Sequence, residues 1–115
     1  VNSREKGKVG EREWAEWLRN RGLDARRGQQ NRGGADSPDV IGGWQRTHCE
    51  VKRRQKLNIH AAIDQAKTEA PAGSVPYVAH RRNGKAWLIT IDAEDVWMFA
   101  LAVVNTPRGN VETTS

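Results

Sequence analysis

A chain of 115 residues, 37% hydrophobic and 29% charged, has the size and balance of one soluble globular domain, too short for two cores. No apolar run nears the roughly 20 residues that cross a bilayer, no signal-peptide pattern is visible, and the lone Cys49 has no internal disulfide partner, so membrane and disulfide-framed secreted classes are set aside and a cytoplasmic location is expected. The 19 Lys+Arg against 14 Asp+Glu leave +5, concentrated at Arg26-Arg27 with Arg32, at Lys52-Arg53-Arg54 with Lys56, and at Arg81-Arg82 with Lys85, the footprint of a phosphate-backbone binder.

In chain order, residues 3–21 read as a helix with Trp14, Trp17 and Leu18 at helical spacing and Gly22 as its stop. Residues 23–27 read as a short strand, followed by a polar, glycine-rich loop over 28–35 (GQQNRGGA). Two strands flank the turn in PDVIGGWQRTHCEVK, residues 38–52. A second helix is expected over 58–70, opened by Asn58 and closed before Pro71. Residues 75–82 and 86–91 form a hairpin about Asn83-Gly84. Asp92 and Asp95 then resemble a capping box for a last helix reaching about Val104. The order helix, three strands, helix, two strands, helix predicts an α/β sandwich around a mixed sheet, one domain over 1–104 and a polar, fraying tail over 105–115.

The first of those strand pairs poses a chemical problem, because Asp39, Glu50 and Lys52 lie in apolar sequence where an ionised group is costly unless compensated. An antiparallel hairpin centred between Trp44 and Gln45 would set Asp39 opposite Glu50, with Cβ atoms about 4.5–5.5 Å apart. Carboxylates that close raise each other's pKa unless a cation intervenes, and hard oxygen ligands select Mg²⁺ or Mn²⁺. Strand alternation puts Lys52 on the face of Glu50, where its ammonium can orient water or stabilise charge at phosphorus. Glu11 falls on the helical stripe of Trp14, Ala15 and Leu18, whereas Glu13 and Glu16 fall opposite, so Glu11 is a fourth acid facing the sheet.

Pro38-Asp39 followed by Glu50-Val51-Lys52 resembles the signature of the PD-(D/E)XK nucleases, and Lys6-Gly7 through Glu11-Arg12-Glu13 is similar to the first helix of archaeal-type Holliday-junction resolvases. The resemblance runs from about Glu5 to Val104. It implies a restriction-endonuclease-like fold with a central mixed five-stranded sheet flanked by helices, order αβββαββα, and a Mg²⁺-dependent endonuclease, with Mn²⁺ able to substitute, acting on four-way DNA junctions. By the same resemblance Glu11, Asp39 and Glu50 bind metal with the Val51 carbonyl as a further ligand, and Lys52 is the catalytic lysine. Gln65 looks like the glutamine that follows the core motif in many of these enzymes, or is an ordinary solvent-facing helix residue. Arg12, Arg26 and Arg27 resemble phosphate contacts, and Arg32, Arg53 and Arg54 extend the basic DNA-binding set. A nuclease of the same superfamily cutting duplex, flaps or single strands, and a non-catalytic DNA-binding module, stand as alternatives.

The remaining signals are weaker. His48, His60 and His80 share no zinc-ligand spacing with Cys49. Four of the five tryptophans read as core, and Trp44, expected at a hairpin tip, as a base-stacking candidate. Residues 96–104 (VWMFALAVV) are apolar nearly all round, which predicts an exposed patch and a homodimer.

Overall fold

The computed structural model describes residues 3–28 and 39–109. Its elements are α1 (Ser3–Arg19), β1 (Ala25–Arg27), β2 (Val40–Gly42), β3 (Thr47–Arg53), α2 (Ile59–Glu69), β4 (Val75–Arg81), β5 (Leu88–Thr90), a 3₁₀ turn (Ala93–Asp95) and α3 (Val96–Asn105), in the order expected.

The helix boundaries follow local chemistry. Gly22 takes φ 87°, and the bonds Gly22 N–H to Arg19 O (2.9 Å) and Leu23 N–H to Leu18 O (3.1 Å) close α1 as a Schellman turn. Asn58 Oδ1 accepts from Ala61 N–H at 3.1 Å to open α2, and Ala70 turns extended ahead of Pro71. Asp92 caps the 3₁₀ turn through Glu94 N–H at 2.9 Å, while Asp95 makes no side-chain cap for α3.

The described strands divide into a two-stranded and a three-stranded sheet, where one central five-stranded sheet was expected. β1 and β2 pair antiparallel, and β3, β4 and β5 form the other, with β3 parallel to β4 through the α2 crossover and β4 antiparallel to β5 about Gly84. The expected β2–β3 hairpin is therefore absent among the described residues. Val40 pairs with Arg27, and Glu50 pairs with Val78. Positive φ falls at Gly42 (92°), Gly43 (79°) and Arg46 (61°) and not at Trp44 and Gln45, the central pair at which a two-residue hairpin would need it. A Cβ on Gly42 would lie 2.0 Å from Asp24 O, so only glycine permits this approach.

Each face of the larger sheet carries one helix. Cys49, Val51, Tyr77 and Ala79 pack with Trp14, Ala15 and Leu18 of α1, and Val78 packs with Ala62 and Ala66 of α2. At Gly10 a Cβ would come within 3.0 Å of Arg53 Cβ, so α1 lies close on β3. Trp14 is fully buried, stacks on Trp17 at 4.7 Å and donates from Nε1 to the Tyr77 hydroxyl at 3.1 Å. Trp44 meets Tyr77 at 5.6 Å and Phe99 at 5.5 Å, which makes it a core residue and not a base-stacking platform. Such ring pairs each add about 0.5–1.5 kcal/mol beyond their buried area.

The start of the tail is held. Thr106 Oγ1 accepts from Gln45 N–H at 2.8 Å and Gly109 N–H bonds Gly22 O at 2.7 Å, which tie the start of the tail back to the domain. No helix among the described residues is long and apolar enough to cross a membrane.

Candidate active site

β3 carries the centre of the site. In its parallel ladder with β4, one edge of β3 is satisfied by backbone and the other faces β2. There the Val51 N–H donates to Asp39 Oδ2 at 2.9 Å. Asp39 and Glu50 are thus brought together as the sequence required, but by a carboxylate bonding a strand edge and not by a cross-strand pair. Gly28 N–H bonds Asp39 O at 2.9 Å and fixes Asp39 at the mouth of β2. Residues 29–38, including Arg32 and Pro38, lie outside the described residues.

Glu50 is 1% exposed, and its Oε1 has no hydrogen-bond partner among the described residues. Burial, with the neighbouring carboxyls of Glu69 and Asp39, pushes its pKa up to about 9 against the weaker pull of Lys52. Burial also raises Asp39, opposed by the Val51 N–H. Lys52 stretches along the same face, its Nζ 3.7 Å from Glu50 Oε2 and donating to Gln65 Oε1 at 2.9 Å. Gln65 Nε2 in turn donates to Glu69 Oε1 at 3.4 Å.

Glu11 reaches this cluster from α1. It is buried, and its pKa is raised by burial and by the Asp39 charge, partly offset by Arg27, whose Nε donates to Glu11 Oε1 at 3.0 Å. Arg27 is therefore tied to the acid cluster, which neither residue type announced. Arg53 likewise donates to Glu13 Oε1 at 2.8 Å and to Asn83 Oδ1 at 2.7 Å, and Arg81 reaches the same Glu13 oxygen at 3.4 Å. Glu13, expected on the solvent side of α1, is half-buried as their shared partner. Arg12, Arg26 and Arg54 are exposed.

Three carboxyls with raised pKa values, one bearing an orphaned buried oxygen, suit a compensating divalent cation. His48 and Glu69 add to the acid face. Atoms of His48, Glu50 and Glu69 lie within 4.8 Å of one another, a grouping able to hold a metal ion. Sequence spacing missed it because Glu69 comes from α2. Strand alternation does put His48 on the face of Glu50, and the four-residue step from Gln65 to Glu69 was the available signal on α2.

A family model described as archaeal Holliday junction resolvase (Hjc) matches residues 2–100. No curated protein sequence matches significantly. Among solved structures, a Holliday junction resolvase, Hjc, of the archaeal hyperthermophile Archaeoglobus fulgidus is similar at 30% identity and a TM-score of 0.55, over 75% of this chain and 72% of that one.

Proposed function

The chain belongs to the archaeal Holliday junction resolvase family, and on that premise we propose that it is a junction-resolving endonuclease that hydrolyses DNA phosphodiester bonds. The observation that carries the reading is the convergence of Asp39, Glu50 and Lys52, with Glu11 reaching in from α1, at one strand edge.

Asp39, Glu50 and Glu11 would hold Mg²⁺, or Mn²⁺ in its place, with the Val51 carbonyl as a further oxygen ligand. When bound, the cation polarises a phosphoryl oxygen and acidifies water. Lys52, steadied by Gln65, presents an ammonium that orients the attacking water or offsets charge developing at phosphorus. In this scheme Gln65 is a positioning residue. Arg27 favours the ionised form of Glu11 and holds its carboxyl in place, while Arg12, Arg26 and Arg54 are exposed and placed to meet phosphates. Arg54, Arg82 and Lys85 also rim a cavity of about 420 Å³ beside β4, a second basic surface for the backbone of a branched substrate. Arg32 belongs to the proposed DNA-binding set on sequence grounds alone.

A four-way junction has approximate two-fold symmetry and is cut on two strands, so a two-fold dimer matches it. The exposed face of α3 supports that assembly: Trp97 is 78%, Val104 73%, Met98 56% and Leu101 54% exposed, whereas Phe99 packs inward. Patches of this kind mark interfaces.

The deciding experiment compares cleavage of a four-way junction with cleavage of linear duplex of the same sequence in Mg²⁺. Preferential, paired incision of the junction is expected. Equal cutting of both would replace the reading with that of a general nuclease. Light scattering of the wild type and Trp97→Glu tests assembly, with a dimer that the substitution splits as the expected result.

A further inference from the structure

We infer that His48, Glu50 and Glu69 form a second cation site, for a divalent transition metal that accepts imidazole, on the α2 side of β3. It shares Glu50 with the proposed nuclease site but does not depend on the nuclease reading.

The donors are brought together by the fold. His48 and Glu50 are two residues apart on β3 and point to the same side, and Glu69 descends from the last turn of α2. One ligand atom from each lies within 4.8 Å of the other two. A metal with bonds of about 2.0–2.2 Å needs its donors closer than that, which rotation of the half-buried Glu69 side chain can supply.

Two atoms in this cluster lack partners. His48 is 5% exposed and its Nε2 has no hydrogen-bond partner among the described residues, and the same holds for Glu50 Oε1. Buried polar atoms are almost always satisfied, so two orphans side by side call for a common ligand. Asp39 approaches Glu50 from the β2 edge, bonded to Val51 N–H, whereas Glu69 approaches it from α2.

Donor chemistry selects the ion. Mg²⁺ prefers oxygen ligands in octahedral array, whereas imidazole with two carboxylates suits Zn²⁺, Co²⁺ or Mn²⁺. The unpartnered, buried His48 Nε2 supplies the imidazole donor.

The test is a titration of the full chain with Zn²⁺, and separately with Mg²⁺, read by ring ¹H–¹⁵N spectra of its three histidines. Zn²⁺ is expected to shift the His48 ring nitrogens and leave exposed His60 unmoved, Mg²⁺ to shift neither, and Glu69→Gln to weaken the Zn²⁺ response at least ~10-fold. Asp39→Asn should retain that response. Peaks are assigned with His48→Gln or, should that chain not fold, by elimination with His60→Gln and His80→Gln. An unmoved His48 at saturating Zn²⁺, an unchanged affinity in Glu69→Gln, or loss of the response in Asp39→Asn would each overturn the second site. Junction cleavage in Mg²⁺, measured on the same samples, reports on the nuclease reading separately, because its failure with the Zn²⁺ response intact leaves this site standing.

Discussion

Along β3 the residues alternate between two helices. Cys49 and Val51 look toward α1, at 5% and 8% exposure; His48 and Glu50 look toward α2, at 5% and 1%. On the α1 side, Trp14, Leu18 and Tyr77 close over an apolar surface, and dispersion with water release stabilises the contact. On the α2 side, equally buried residues bring carboxyl beside carboxyl and leave two polar atoms without partners among the described residues. One face therefore carries stability, and the other gives up stability to hold charge in a fixed place, as sites that bind ions do.

If that division is right, substitutions on the two faces should separate activity from stability. The largest effect is expected from Asp39→Asn or Glu50→Gln, which should reduce cleavage on the order of 1,000-fold while junction binding, read by gel shift, persists. Wild-type cleavage by either variant would break the assignment. On the other face, Trp14→Ala should cost about 3–5 kcal/mol of stability by urea unfolding, through loss of the buried indole and its bond to Tyr77. A well-folded Trp14→Ala chain would show that the α1 face is not the stabilising one.

Lys52→Ala should lower turnover about 100-fold and leave Mn²⁺ binding, measured by calorimetry, nearly intact. Loss of Mn²⁺ binding would make Lys52 a structural part of the ion site instead. The smallest effect concerns pH. Glu50 holds its proton up to about 9 in the native chain but releases it in the ordinary carboxylate range when unfolded. The native state thus binds more protons between those limits, and its stability falls as pH rises through them. In chelator at pH 8, Glu50→Gln should raise Tm on the order of 5 °C and flatten the dependence between about pH 5 and 9. A Tm difference that does not change with pH would show that Glu50 is not a strained acid.

The sequence carried the signals that act through near neighbours. Asn58 opens α2 where its short polar side chain can reach a backbone N–H three residues on, and Gly22 closes α1 because it alone tolerates the required φ without strain. The β4–β5 hairpin forms where Asn83-Gly84 marked it, but as a longer loop centred on Gly84, with Asn83 outside the positive-φ region that a two-residue turn needs. Helical spacing put Glu11 among Trp14, Ala15 and Leu18, and all four are buried. Asp39, Glu50 and Lys52 were legible as a group because charges in apolar strand sequence require compensation.

What the sequence could not determine was partner choice across space. Strand periodicity says which side a residue faces but not which strand lies beside it, so β2 joining β1, and β3 joining β4, emerged only from the packed structure. For the same reason Arg27 reads as a phosphate contact until α1 sets Glu11 against it, and Glu13 reads as solvated until Arg53 and Arg81 meet it. Glu69 became a neighbour of His48 and Glu50 because the parallel crossover folds α2 back along β3. Local conformational preference is written residue by residue, whereas a buried charge finds its partner only when distant elements exclude water together.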